Sequence, residues 1–318
     1  MAGIAIFSLS TGGLSMDRQY FVVDAFTHDR FSGNAAAVVL DSEGLDDETM
    51  QAIATEFNLS ETTFVLPPNS DSADFQFRWF TPTAEVRMCG HATIAGAHAL
   101  LACGRIQQEG PESTSFVVDS LSGPLGLHID ALPGQPLKRM IWLDLPRPRW
   151  TTATLDLDLL AGVLNLPADS FDASMPPVRT QDHDLLVFVN HVTILNDAHP
   201  EFGRLRKLHE DSDIRGLCLA ATRTLSPSIH VQSRFFAPAA GVDEDPVTGS
   251  VHGPLAAYLV RHEKVPLTDG LAGLQCAQAR AGGRGGVVFA LVQPQEDGQY
   301  EVRIGGKAVT TMVGKITG

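Results

Sequence analysis

Four cysteines in 318 residues, none spaced as Cys-x-x-Cys, leave this chain without the signs of a disulfide framework or a thiolate metal site. A chain this long needs no covalent staples, so Cys89, Cys103, Cys218 and Cys276 read as thiols of a reducing cytoplasm. No stretch approaches 18 uncharged apolar residues, which excludes a transmembrane helix. Positive charge is scarce. The 23 Lys and Arg face 37 Asp and Glu, and the net charge of −14 argues against a nucleic-acid backbone or an anionic membrane surface as partner. A small anionic carboxylate stays open as substrate, because a local site can oppose the global sign. Also missing are a Gly-x-Ser-x-Gly elbow and a phosphate loop ending in Lys-Ser/Thr; Gly282-Gly283-Arg284-Gly285-Gly286 leads into a strand and reads as a hairpin turn. The 11 histidines do not fall at ligand spacing with cysteines or carboxylates, so neither a metal nor another cofactor is expected.

What is present is a turn-rich globular composition, 44% apolar and 19% charged, with 29 Gly and 19 Pro. The first sixteen residues are mildly apolar but lack a basic segment and a clear cleavage site, and they read as a loose extension ahead of the strand at Tyr20–Ala25. From there the chain reads twice. Arg78-Trp79-Phe80-Thr81-Pro82 returns as Arg234-Phe235-Phe236-Ala237-Pro238. Each copy is followed by acidic residues, Glu85 or Asp243-Glu244-Asp245, then by a small-residue corner, Cys89-Gly90-His91 or Thr248-Gly249-Ser250. After each corner comes an apolar helix, Ala92–Cys103 and Val251–Val260. A helix apolar nearly all round must be buried on every side. Gly104 is placed to stop the first, and Pro254 fits the first turn of the second.

Around these helices, alternating or β-branched runs bounded by Gly, Pro and Asp predict strands at 20–25, 36–40, 62–66, 75–80, 114–119 and 126–130, and again at 140–145, 185–189, 216–221, 229–236, 287–292 and 301–305. Amphipathic helices fit Asp47–Phe57, Leu155–Leu164 and Phe202–Glu210. The fold class is therefore α+β: two pseudo-symmetric halves, each a strongly curved, mostly antiparallel sheet around one central buried helix. The Pro-rich stretch Leu145–Trp150 is the expected crossover.

The corners are where chemistry is expected. A buried helix beginning at Gly-His or Gly-Ser offers free N–H groups and the positive end of its dipole, and Gly lets a ligand approach. Gly90 and Gly249, one per half, can form a cradle for a small carboxylate, or can simply permit tight turns. Ser250 is equally an N-cap or a hydroxyl donor. Glu61 stands at the entry to an apolar strand, where burial raises a carboxyl pKa toward the proton-shuttling range; a turn carboxylate bonded to nearby N–H groups is the other reading. His91, at a helix start, is expected as a neutral imidazole that relays a proton, or as a structural cap. Asp245, beside Pro246, is a solvated or capping acid unless the repeat carries it into the cleft.

Five ordered blocks, VDAFTHDRFSGNAAAVV (23–39), NLSETTFV (58–65), RWFTPTAEVRMCGHATIAGAHAL (78–100), FFAPAAGVDEDPVTGSVHGPLAAYL (235–259) and QARAGGRGG (278–286), together resemble the PhzF family of phenazine-biosynthesis isomerases. The resemblance spans Tyr20 to Gly314 and implies a fold similar to diaminopimelate epimerase. The last strand, 309–316, would return to the first domain, giving halves of 17–135 with 306–318 and of 136–305. It further implies that Glu61 serves as both base and acid, with His91 and Asp245 beside it and with Gly90, Gly249 and Ser250 holding the substrate. The implied reaction is a cofactor-independent proton shift on a dihydro-hydroxyanthranilate-like carboxylate, in a family that is often dimeric. The related epimerases use two opposed cysteines. Cys89 stands in the first corner but 245–250 contains none, which disfavours a two-thiol racemase. An epimerase of an amino-acid-like substrate and a non-catalytic metabolite- or protein-binding member remain the alternatives.

Overall fold

A computed structural model describes residues 17–107, 113–132, 135–279 and 283–317. The loose extension expected at 1–16 lies outside the described residues.

The first half runs β1 (Arg18–Ala25), β2 (Asn34–Val39), α1 (Asp47–Phe57), β3 (Glu61–Leu66), β4 (Phe75–Phe80), β5 (Glu85–Val86), α2 (Gly90–Ala102), β6 (Thr114–Asp119), β7 (Leu125–Leu132) and β8 (Gln135–Leu145). The second runs β9 (Trp150–Thr152), α3 (Leu157–Leu164), β10 (Val178–Thr180), β11 (Asp184–Phe188), α4 (Val192–Asp197), α5 (Phe202–Asp211), β12 (Gly216–Ala221), β13 (Val231–Ala237), β14 (Val242–Asp245), α6 (Gly249–Arg261), β15 (Ala272–Ala279), β16 (Gly285–Pro294) and β17 (Tyr300–Gly306), and β18 (Ala308–Ile316) closes the chain.

The strand pairing carries the duplication. β1 pairs antiparallel with β2, β2 parallel with β3, β3 antiparallel with β4, β4 parallel with β6, and β6–β7–β8 follow antiparallel. The series β10, β11, β12, β13, β15, β16, β17 repeats every one of these senses. β5 rides on β4 as β14 rides on β13. β8 and β17, equivalent in this correspondence, pair with each other and make the sheet continuous across the halves. β18 returns to pair with β1, taking the place that β9 holds beside β10.

Each half wraps one helix. Every residue of α2 from Gly90 to Ala97 is buried, and so is every residue of α6 from Val251 to Val260. One polar side chain in each is satisfied in the same way. Thr93 Oγ1 donates to Cys89 O at 2.6 Å, and His252 Nδ1 lies 2.7 Å from Thr248 O, each bonding the carbonyl four residues back. The repeated arginines match too. Arg78 forms a two-pronged ion pair with Glu85 and Arg234 one with Glu244, and each stacks on the Phe two residues on. The remaining helices cover the outside: α1 packs on β3 and β4, and α3, α4 and α5 cover β11 and β12.

Gly104, at φ 76°, ends α2 as its sequence position requires. α6 departs from expectation at its start. It begins at Gly249, two residues before the predicted Val251, so Pro254 lies inside the helix and not in its first turn, and Ser250 C=O has no proline N–H to accept. β15 and β16 pair antiparallel up to Ala279–Gly285; of the turn expected at 282–286, Gly285 and Gly286 belong to β16, and residues 280–282 lie outside the described residues. Among the described residues no helix is long and apolar enough to cross a membrane, and all four cysteines are free thiols.

Candidate active site

The two helix starts meet. A Cβ added to Gly90 would lie 3.3 Å from Gly249 Cα, and one on Gly249 would lie 3.4 Å from Gly90 Cα. A side chain at either position would press on the facing helix start, and glycine spares that crowding. Neither start is closed by a side chain. α1, α3 and α4 are capped by Asp46, Asp156 and His191, whereas the cap positions of α2 and α6, Cys89 and Thr248, make no side-chain capping bond. Neither first turn carries an acid, so the two dipoles face a cavity of about 1240 Å³ with their positive ends unneutralised. Glu61, His91, Gly90, Asp245, Gly249 and Ser250 all line that cavity.

Glu61 arrives there through a helix stop. Asn58, left-handed at φ 49°, ends α1, and three residues later β3 starts beside β2 with Glu61 opposite Ala36. Thr63 Oγ1 then donates to Ala92 O at 2.9 Å, tying β3 to the first turn of α2 and so bringing Glu61 to His91. Glu61 Oε2 lies 3.0 Å from His91 Nε2, with side chains 18% and 6% exposed. The contact falls short of an aligned hydrogen bond, and neither of these two buried atoms has another hydrogen-bonding partner among the described residues. The other face of the imidazole meets Cys89, whose Sγ is 3.4 Å from His91 Nδ1.

The second half adds Asp245. Its Oδ1 accepts from Asn34 Nδ2 at 2.9 Å and its Oδ2 accepts from Thr248 Oγ1. The second hydrogen of the same Asn34 amide goes to Val247 O at 2.9 Å, and the nitrogen stands 3.3 Å from His91 Nδ1. One amide from β2 therefore spans both halves at the site. Asn34 lies inside the first of the five blocks, but nothing in the sequence marks its side chain as part of the site. Arg215, also missed, lines the cavity and donates through Nη2 to Ser250 Oγ at 3.3 Å.

Protonation follows from these neighbours. Burial alone would raise the Glu61 carboxyl, but His91, with help from Cys89 and Arg215, outweighs it and holds the pKa below the ordinary carboxylate value. Burial likewise works against charge on His91, yet Cys89 and Glu61 raise its pKa well above that of a free imidazole. Cys89 is itself pushed up, by burial first and by Glu61 second, so it stands as a neutral thiol and Glu61 is the anion that sustains the imidazolium. Two expectations are corrected here. Glu61 is lowered, not raised, and His91 favours its cationic form over the neutral one, because burial, the largest single influence on each, is outweighed by the neighbours acting together: His91, Cys89 and Arg215 on Glu61, and Cys89 and Glu61 on His91. Asp245 moves the other way, raised by burial, with Glu61 adding to the rise and His91, Thr248 and Asn34 opposing it.

The capping alternatives also fall. His91 and Ser250 are each the second residue of their helices, and the cap positions belong to Cys89 and Thr248. The expectation that no histidine meets cysteine and carboxylate is corrected as well: Glu61, Cys89 and His91 bring donor atoms within 4.8 Å of one another, a trio invisible in sequence because β3 and α2 supply its members. The ring turns Nε2 to Glu61 and Nδ1 to Cys89, an arrangement suited to relaying a proton between two groups.

The chain matches a family described as phenazine biosynthesis-like protein (PhzC-PhzF) over residues 23–314. It is 35% identical to an uncharacterised isomerase of Pseudomonas aeruginosa, over 95% of this chain and 99% of that one. It is 32% identical to trans-2,3-dihydro-3-hydroxyanthranilate isomerase of the same organism, over 86% and 94%. Among solved structures, a phenazine biosynthesis protein of the PhzF family from Bacillus anthracis aligns with a TM-score of 0.84 at 27% identity, covering 94% of this chain and 99% of that one. A hydroxyproline epimerase from Agrobacterium vitis shares the fold alone, with a TM-score of 0.63 at 12% identity over 95% and 93%. The chain belongs to the phenazine biosynthesis-like PhzF family and is an isomerase of that type.

Proposed function

We propose that this enzyme moves a proton between two carbons of a small cyclic or amino-acid-like carboxylate, with Glu61 as both base and acid and with no cofactor. The observation that carries this reading is the pairing of Glu61 with His91 at 3.0 Å, directly beside two uncapped helix starts in contact. A substrate carboxylate at those N–H groups and Ser250 holds the reacting carbons over Glu61. Glu61 takes a proton from one carbon as the electron pair moves into the conjugated system, and returns it to another. Atoms and electrons balance without an outside acceptor. His91, as imidazolium, holds Glu61 ionised before the transfer and donates a hydrogen bond to it afterwards, with Cys89 beside its Nδ1.

A two-thiol epimerase is not supported. The repeat places Thr248 where the first half has Cys89, and an alcohol does not ionise as a thiol does. Cys89 is also held protonated by burial. The relative that acts on trans-2,3-dihydro-3-hydroxyanthranilate makes that compound the first substrate to assay. Turnover of it, or of related alicyclic amino carboxylates, is expected from the wild-type protein. Glu61→Gln is expected to lower kcat by about 10²- to 10⁴-fold with the fold intact, on the scale of a positioned proton transfer. A Glu61→Gln enzyme with wild-type kcat would end this reading.

A further inference from the structure

Arg215 occupies a position in the fold that the register identifies. Thr62 pairs with Phe80 as Leu217 pairs with Phe236, and the two phenylalanines are matching residues of the repeated Arg-aromatic-Phe motif. Gly216 is therefore the counterpart of Glu61, and Arg215 the counterpart of Ser60. Position 216 has no room for a side chain, since a Cβ there would lie 2.2 Å from the Phe235 ring. Where the first half places its carboxylate the second places none, and the neighbouring residue brings a guanidinium instead.

That guanidinium is held from behind. Its Nε donates to Asp184 Oδ1 at 2.8 Å and its Nη2 to Asp184 Oδ2, a two-pronged pair with an acid whose side chain is 1% exposed. The Phe235 ring lies 5.8 Å from its centre, and Nη2 also donates to Ser250 Oγ in the first turn of α6. The Arg215 side chain keeps 41% of its surface open and lines the cavity, so its free face looks into the cleft. Arg215 also adds to the lowering of the Glu61 pKa, which puts it in the field of the acid/base group.

We propose that Arg215 is a carboxylate-recognition residue that works with Ser250 and the start of α6, and that Asp184 is the positioning residue that aims it. With Nε and both Nη2 hydrogens engaged by Asp184 and Ser250, the Nη1 hydrogens are left to donate to a carboxylate from a direction that Asp184 fixes. This assignment rests on the acid/base reading of the cleft and deepens it: the substrate's anionic group lies on the Ser250 side, and an uncharged analogue is rejected.

The test is calorimetric titration with anthranilate and its uncharged amide, 2-aminobenzamide. The wild-type protein is expected to prefer the acid by tenfold or more. Arg215→Ala is expected to lose about 10- to 100-fold in anthranilate affinity, the scale of a hydrogen bond to a charged group, with amide binding unchanged. Arg215→Lys should recover part of the loss, and Asp184→Asn should show a smaller loss of the same selective kind. A merely structural role would weaken both ligands together, and thermal melts identify any variant that fails to fold. Equal weakening of acid and amide, an unchanged preference in Arg215→Ala, or a wild-type protein indifferent to the charge would overturn the assignment. Glu61→Gln keeps the two claims apart. Lost proton transfer in that variant, with an unchanged acid preference in Arg215→Ala, would sink the clamp and leave the acid/base reading standing. Intact transfer in Glu61→Gln with a lost preference in Arg215→Ala would do the reverse.

Discussion

Glu61 and His91 move each other's protonation in opposite directions, and the pH dependence follows from the signs. A carboxyl held below its ordinary value adds stability above its unfolded pKa of about 4.3, lost only as pH falls through the lower folded value. An imidazole held above its ordinary value adds stability that is complete below its unfolded pKa of about 6.5 and is lost as pH rises through the higher folded value. The pair is therefore fully stabilising between those two unfolded values, and the ionised pair persists beyond both. His91→Gln removes the imidazolium and leaves burial to act on Glu61. The acidic limb of the kcat/KM–pH profile should then shift to higher pH, and an unmoved limb would contradict the pairing. At this scale the sequence showed Glu61 at a strand entry and His91 at a helix start. It could not show that residues thirty apart touch, so the sign of both shifts was out of reach. Asn34 was hidden because its bonds cross the halves, and Arg215 because Asp184 and Ser250, which meet it, stand 31 and 35 positions away.

The two buried helices stood out in the sequence because an unbroken apolar stretch of helical length admits one environment. The acidic strand β14 did not. Val242-Asp243-Glu244-Asp245 has no apolar alternation, and it is a strand because β13 pairs with it and Arg234 holds Glu244. Short β5, β9 and β10 were likewise beyond periodicity. The glycine corners were legible as repeats but not as a contact. Their approach makes a sharp prediction: Gly90→Ala or Gly249→Ala pushes a methyl against the facing helix start. Each is expected to cost about 1–3 kcal/mol of stability, read by urea unfolding, and to weaken carboxylate binding as well. Unchanged stability and binding would mean the helix starts do not need glycine.

Across the whole molecule, the continuous sheet is reinforced near the site by a latch from the Gly-rich hairpin. Arg284 donates to Asp24 and to the carbonyls of Ser32 and Gly33, and Ser32 Oγ and Gly33 N donate back to Gly285 O. Asp24 is 2% exposed, so Arg284→Ala leaves a buried carboxylate without its cation. Because the guanidinium itself is a third exposed, about 1–3 kcal/mol is expected, below the loss from breaking a fully buried pair, and a melting curve checks it. The proposed carboxylate site sets two helix starts, His91 and Arg215 against a net charge of −14, in a cavity that Glu61 and Asp245 also line.

The central claim is that Glu61 carries the proton. NMR of trans-2,3-dihydro-3-hydroxyanthranilate incubated in D₂O tests it most directly. The account predicts isomerised product with the wild-type protein, its gained hydrogen coming from the other carbon and carrying deuterium only to the extent that the proton on Glu61 exchanges with solvent, and no isomerised product with a folded Glu61→Gln variant. Isomerisation at the wild-type rate in Glu61→Gln would contradict it.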